Sequence, residues 1–291
     1  MNPSRLVAVV VASCIGPVLA ASVPNIVPAQ ARRMFVSVTD SKGAPVAGLT
    51  ASDFVVRVAG KDATVVTVAP ATEPLSVVVI PSGFRQSSIS DARAALRAVI
   101  AAVRNVNPES RVGLMVGDGG TPPSMRAVSE RADMLDREVS RFFESPNTAL
   151  LDSILVASQT LGADPGRRRV ILVLSLGSGG DGGLTPLRIG RAVRDADASL
   201  WVVEVGGFDR DLGSPEGRVF SEITKASGGR REASSIPTLP SALENIVSVI
   251  GAQYALTYEP PMAGEVSMVG VRKSGLSVFA PVWAGTNLAN R

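Results

Sequence analysis

The chain has 291 residues, 45% hydrophobic and 19% charged, a balance typical of a globular protein with a buried core rather than of a disordered chain. Its formal charge of +3 comes from 29 basic and 26 acidic residues with no block of like charge, and aromatic residues make up only 4%. We therefore expect no nucleic-acid partner. The absence of histidine excludes Ser-His-Asp and Cys-His catalysis and imidazole zinc ligands. An enzyme is accordingly not expected.

The first 21 residues have the pattern of a secretory signal peptide. Arg5 precedes a short apolar run, and small residues follow around position 20. The run is shorter than the roughly 20 residues of a spanning helix, so we expect no membrane span in the mature chain. This predicts export to the periplasm or the extracellular space. The residues that end at Cys14 also resemble a bacterial lipobox, so the alternative is a mature chain anchored by a lipid on Cys14.

Short strand patterns follow the predicted signal peptide. Residues 22–33 contain two prolines and little periodicity, which predicts a linker. Residues 34–38 and 54–58 have strand patterns on either side of turn chemistry at residues 40–43. We therefore predict a small N-terminal β module over residues 34–72.

From residue 73, continuous apolar runs alternate with helical repeats. The runs at 75–80, 112–116, 170–174 and 200–205 are typical of strands that helices bury on both faces. Between these runs and after the last one, apolar residues recur at the spacing of a helix. This predicts helices at residues 92–103, 150–161, 186–196 and 239–250. We predict an α/β domain over residues 73–258 with a doubly wound, mainly parallel sheet. Ligands of such sheets bind beyond the carboxyl ends of the strands.

The C-terminal segment returns to strand patterns. Strand patterns occupy residues 253–258, 265–271 and 276–279, and we expect these strands to lie beside the N-terminal β module. Residues 259–291 are predicted to form a C-terminal β hairpin and tail. Before that segment, two glycines at 228 and 229 predict a helix end followed by an edge strand, where we expect Arg230 and Arg231 to be solvated. Trp201 is expected in the core. The glycine-rich residues 177–183 lack the Gly-Lys-Ser/Thr ending of a phosphate loop and predict a flexible loop.

Five segments, in this order and spacing, carry a resemblance to a known family: residues 38–54, 74–78, 147–152, 253–258 and 271–276. The chain resembles secreted bacterial proteins with a von Willebrand factor A-related domain. The resemblance implies a von Willebrand A-like, Rossmann-like fold. It also implies a non-catalytic domain that binds another protein in adhesion or assembly.

Domains of this family typically bind Mg²⁺ through an Asp-x-Ser-x-Ser loop after the first strand, a Thr in the second loop and an Asp after the fourth strand. The metal then accepts a carboxylate from the partner. Here no Asp or Glu occurs between Glu73 and Asp91, and Leu176 stands where the resemblance places the later Asp. Only Thr148 remains, and one hydroxyl cannot hold Mg²⁺. We therefore expect a degenerate adhesion site that binds no metal and needs no cofactor.

The candidate ligand-face residues are Ser82, Gly83, Arg85, Thr148, Asp118 and Asp181. Asp118 and Asp181 are the nearest acids that loops could supply to a weak metal site. Arg85 is the only charged residue of the first loop, and its guanidinium could receive a partner carboxylate directly in place of a metal. The alternative is an arginine solvated at the rim. Thr148 could equally be a helix cap, with Asp152 in the first turn of the helix.

The sequence is compatible with two other functions. One is a structural scaffold that binds through its β modules. The other is a hydrolase that uses Ser82 or Ser175 together with a lysine or a carboxylate.

Overall fold

The computed structural model describes residues 30–84, 86–116, 124–129, 131–140, 150–176, 184–206, 215–283 and 286–287. These residues form a mainly parallel sheet with helices on both faces and an antiparallel sheet built from the N- and C-terminal segments. The predicted fold class, a doubly wound α/β unit with a smaller β module, is confirmed. The predicted signal peptide and most of the predicted linker lie outside the described residues.

Strands and helices alternate through the middle of the chain, and strands predominate at both ends. The strands are β1 (Arg32–Thr39), β2 (Phe54–Val58), β3 (Lys61–Pro70), β4 (Leu75–Ser82), β5 (Arg111–Val116), β6 (Ser124–Ser129), β7 (Arg168–Ser175), β8 (Ala198–Val205), β9 (Arg231–Ser234), β10 (Tyr254–Glu259), β11 (Val266–Val271), β12 (Ser277–Phe279) and β13 (Thr286–Asn287). The helices are α1 (Ile89–Val106), α2 (Ala132–Ser140), α3 (Leu150–Gly162), α4 (Pro186–Asp195), α5 (Pro215–Arg218), α6 (Thr224–Ala226) and α7 (Leu239–Gly251). Short 3₁₀ helices occupy Ala51–Asp53 and Gln86–Ser88, and a π-helical turn, Val219–Ile223, joins α5 to α6.

The antiparallel sheet has the strand order β11-β2-β3-β10-β1-β12, and β13 also pairs with β1. β10 follows α7 in the chain, yet its hydrogen bonds are made with β3 and β1. The N- and C-terminal segments therefore lie side by side, as predicted. Tyr254 fixes the loop after β1 because its hydroxyl donates to the Val46 carbonyl oxygen at 2.8 Å and accepts from the Leu49 amide at 3.2 Å.

The second sheet has the order β6-β5-β4-β7-β8-β9, with β6 antiparallel to β5 and the other pairs parallel. Successive side chains of a strand point to opposite faces. In β4, Val77 and Val79 pack with α1 and α7, whereas Val78 and Ile80 pack with α3 and α4. Both faces are covered, which explains why the strand is a continuous apolar run. Trp201 is fully buried in β8, as expected.

Arg168, at the start of β7, lies where the chain passes between the two sheets. Its Nε donates to the Glu73 carbonyl oxygen at 2.9 Å, and its Nη1 donates to the Ile250 carbonyl oxygen at 2.7 Å. Beside it, the Ala71 amide donates to the Gln253 carbonyl oxygen at 2.8 Å. Burial lowers the pKa of Arg168 to about 10, against the opposing effect of the Glu73 charge. The guanidinium remains charged at neutral pH. It links the segment that enters the α/β unit at Glu73 to the segment that leaves it at Ile250.

Within the described part of the chain, no helix is both long enough and apolar enough to cross a membrane.

Candidate functional site

At the carboxyl end of β4, the side chains of Ser82 and Phe84 are buried in the protein rather than exposed to solvent. Ser82 is fully buried, and its carbonyl oxygen accepts a hydrogen bond from the Leu176 amide at 2.9 Å. Gly83 follows with a φ of 78°, a conformation that glycine adopts without a steric penalty. This turn directs Phe84 into the core beneath α1, where it is fully buried. The loop after β4 therefore begins with a side chain, Phe84, that is buried in the hydrophobic core.

The Ser82 hydroxyl has no hydrogen-bond partner among the described residues, although it is buried. A serine nucleophile needs a general base within hydrogen-bond reach. Ser82 is also closed to solvent, so a substrate has no access to its hydroxyl. This geometry gives no support to a hydrolase that uses Ser82.

Ser175 lies beside Ser82 in the sheet, because the two residues pair in register across β4 and β7. Ser175 in turn pairs in register with Glu204 of β8, which brings a carboxylate to the same row. That carboxylate is buried and forms an ion pair with the Arg231 guanidinium. A carboxylate held by an arginine is a poor candidate for a general base, so this row also gives little support to a hydrolase.

The expectation that Arg230 and Arg231 are solvated is wrong. Both side chains are only 13% exposed. Arg231 pairs with Glu204, which is 7% exposed, and Arg230 pairs with Glu232 while its guanidinium carbon lies 5.5 Å from the centre of the Phe279 ring. Burial raises the pKa of the Glu232 carboxyl, against the charge of Arg230. These arginines are largely shielded from solvent because Glu232 lies on β9 itself, Glu204 on the neighbouring β8 and Phe279 on β12 of the other sheet.

Leu176 follows β7 at the position where the family resemblance places an Asp. Its side chain is partly buried and packs against the same core cluster that contains Phe84. The two loops that the structure describes at this edge, after β4 and after β7, thus begin with apolar contacts.

The structure describes Ser82 and Gly83 but not the other candidate ligand-face residues. Arg85, Thr148, Asp118 and Asp181 lie outside the described residues, as does the glycine-rich segment 177–183. Asp152 lies in the first turn of α3, where a carboxylate favours the positive end of the helix. The residues in the described ranges contain no group of three or more His, Cys, Asp or Glu side chains that could hold a metal ion.

No family model and no curated protein matches the chain. Its fold is similar to that of a von Willebrand factor type A protein from Catenulispora acidiphila, at 12% identity and a TM-score of 0.49 over 88% of this chain and 74% of that one. It is also similar to the vWF domain of the type V pili tip protein Mfa5 from Porphyromonas gingivalis, at 10% identity and a TM-score of 0.49 over 62% of this chain and 96% of that one. The SpRpn10 VWA domain matches at 16% identity and a TM-score of 0.42, over 59% of this chain and 93% of that one.

Proposed function

We propose that the chain is an exported, non-catalytic domain of von Willebrand A type that binds another protein without a metal ion. The observation that supports this is the composition of the two strand ends. Ser82 ends β4, Phe84 lies in the loop after β4 and Leu176 follows β7; Phe84 and Leu176 pack into the core. No carboxylate is supplied at either position.

Magnesium requires hard oxygen ligands in near-octahedral geometry, normally including one or two carboxylates. One neutral serine hydroxyl does not balance the cost of removing a divalent ion from water. Without the metal, a partner carboxylate needs another positive or hydrogen-bonding group. Arg85 is the charged residue of the first loop and can bind a carboxylate through two parallel hydrogen bonds.

The test is capture of the partner from a native cell envelope extract, with and without a chelator. We expect the same partner to be retained in both conditions and to be lost with Arg85→Glu. Arg57→Glu is the matched control, because Arg57 lies on β2 with a side chain that is 48% exposed. Loss of the partner on chelation would contradict metal independence. Full retention by Arg85→Glu would eliminate Arg85 as the receiving group.

Export is a separate part of the proposal and depends on the pattern of residues 1–21. Mass spectrometry of the mature chain from the native host should show a start near residue 21 or 22. A start at Cys14 with added lipid mass would instead support the anchored alternative. An intact Met1 on the stable protein would contradict export by this route.

A further inference from the structure

A half-open groove of about 450 Å³ lies between the edge of the α/β unit and the antiparallel sheet. Its lining comes from the region around α6, from the start of β9 and from β11 and β12. We call it the β9 groove and define it by Phe220, Thr224, Lys225, Arg230, Met268 and Phe279. Its volume lies within the range of roughly 300–1,000 Å³ that ligand sites occupy. Arg231, the first residue of β9, also lines it.

The groove is apolar along the side formed by the antiparallel sheet. Met268 of β11 is 39% exposed, and Val282 after β12 is also 39% exposed. Phe279 contributes its ring beneath the Arg230 guanidinium. Apolar side chains that remain exposed together in a groove with a polar rim are typical of an interaction site.

The opposite side of the groove is positively charged. It carries Lys225, Arg230 and Arg231, and the described residues of its lining include no Asp or Glu. Glu232 and Glu204 pair with the two arginines from outside the lining, so Lys225 adds a net positive charge at the exposed end. The groove is thus suited to a ligand with a negative charge close to an apolar group.

Buried polar atoms beneath the groove also lack partners. Thr224 is 2% exposed, and its hydroxyl has no hydrogen-bond partner among the described residues; the same is true of Arg230 Nε. Buried polar groups in folded proteins are nearly always hydrogen-bonded, to a ligand or water where no protein group is available. The π-helical turn Val219–Ile223 forms the adjoining wall through Phe220, and such turns are frequent at functional sites.

Three sheet edges border the groove. In the described strand orders β9 ends the parallel sheet, while β11 and β12 end the antiparallel sheet. One side of an edge strand carries backbone N–H and C=O groups that no neighbouring strand satisfies. An extended peptide can pair with such an edge, and its alternate side chains then enter the adjacent pocket. This favours a peptide over a compact small molecule as the occupant.

We propose that the β9 groove binds an extended peptide segment of a partner protein in which acidic and apolar side chains alternate. The apolar side chains contact Met268 and Phe279, and an acidic side chain contacts Lys225 and the arginine side of the groove. The site is separate from the carboxyl end of β4, because no residue that lines the groove comes from β4, from β7 or from the described starts of the loops that follow them. A failed test of the β9 groove would therefore not count against the proposal of metal-free binding at the carboxyl end of β4.

The test uses fluorescence polarisation with a fluorescein-labelled octapeptide of alternating Val and Glu, and a Val and Lys peptide of the same length. We expect saturable binding of the Glu peptide and at least about tenfold weaker binding of the Lys peptide. Lys225→Glu should weaken binding about fivefold or more, and Met268→Asp about tenfold, through charge reversal and like-charge repulsion. The matched controls are Lys61→Glu and Met262→Asp, at exposed positions outside the groove.

Absence of saturable binding of the Glu peptide at millimolar concentration would overturn the proposal, as would equal binding by the two groove variants and the wild type. Decanoate, a carboxylate with an apolar chain but no peptide backbone, provides the second arm. Calorimetric binding of decanoate that Lys225→Glu abolishes, without any binding of the peptide, would assign the groove to small amphiphiles and overturn the peptide.

Discussion

Replacing Arg168 with Met tests whether this residue holds the two sheets together. The side chain is buried at the point where the chain enters and leaves the α/β unit. Methionine has an unbranched apolar side chain with no donor, so the carbonyl oxygens of Glu73 and Ile250 lose a charged hydrogen bond each. Loss of a partner costs a buried polar group about 1–3 kcal/mol. Two such losses amount to about 2–6 kcal/mol.

Part of that loss is offset, because burying an apolar methionine avoids the free-energy cost of removing a charged guanidinium from water. The same cost lowers the pKa of Arg168 to about 10. Replacement of buried ionic groups by apolar ones of similar size can recover a few kcal/mol. We therefore expect a net decrease of about 2 kcal/mol in the free energy of unfolding, from the lower part of the hydrogen-bond range.

The assay is equilibrium unfolding in urea, followed through the fluorescence of Trp201 and Trp283. Arg57→Met is the matched control, because the Arg57 ion pair with Asp62 is exposed and such pairs contribute about 0–1 kcal/mol. A decrease for Arg168→Met no larger than that for Arg57→Met would refute the role given to Arg168.

Three further substitutions test the packing, a hydrogen bond and a charge. Gly229→Ala places a Cβ 1.8 Å from the Leu200 carbonyl oxygen, so we expect thermal unfolding to show a loss of at least about 3 kcal/mol, whereas Gly270→Ala, with no atom within 4 Å, should be tolerated. Equal stability of the two glycine variants would contradict the packing at Gly229. Tyr254→Phe removes the hydroxyl that holds Val46 and Leu49 and should cost about 1–3 kcal/mol, with faster hydrogen exchange at the Leu49 amide; an unchanged exchange rate would count against it. Burial raises the pKa of Glu73, but hydrogen bonding and the charges of Arg33 and Arg168 outweigh it and hold the pKa below its ordinary value of 4.5. The folded state therefore favours ionised Glu73, and this stabilisation is present above pH 4.5 and lost as the pH falls below it. In urea titrations at several pH values, the stability difference between wild type and Glu73→Gln should shrink below pH 4.5; a difference independent of pH would exclude this charge effect.

Much of the fold could be predicted because burial on both sides leaves a direct pattern in the sequence. The strand at 75–82 is apolar at successive positions since α1 and α7 cover one face and α3 and α4 the other. The helix end at Gly228 was also predictable, because Gly228 has a φ of 76° and its position suits a left-handed turn.

Long-range partners could not be predicted in the same way. Arg231 has the local sequence of an exposed charge, and its burial depends on Glu204, 27 residues earlier in the chain. Arg168 likewise lies in an ordinary strand sequence, and its partners Glu73 and Ile250 are 95 and 82 residues away. The β9 groove is formed by segments from both sheets, so no single stretch of sequence indicates it. At the candidate site, the sequence indicated the missing acids, but not that Phe84 would fill the core beneath the loop.

Titration of Mg²⁺ while thermal unfolding is followed tests the central claim most directly. A site with a dissociation constant of about 100 μM would stabilise the chain by about 2.7 kcal/mol at about 10 mM Mg²⁺, which corresponds to a rise of several degrees in Tm for a chain of this size. We predict a change of less than about 1 °C relative to NaCl at the same ionic strength. A saturable rise of several degrees that a chelator reverses would show that a metal binds and would contradict the proposal of a metal-free binding face.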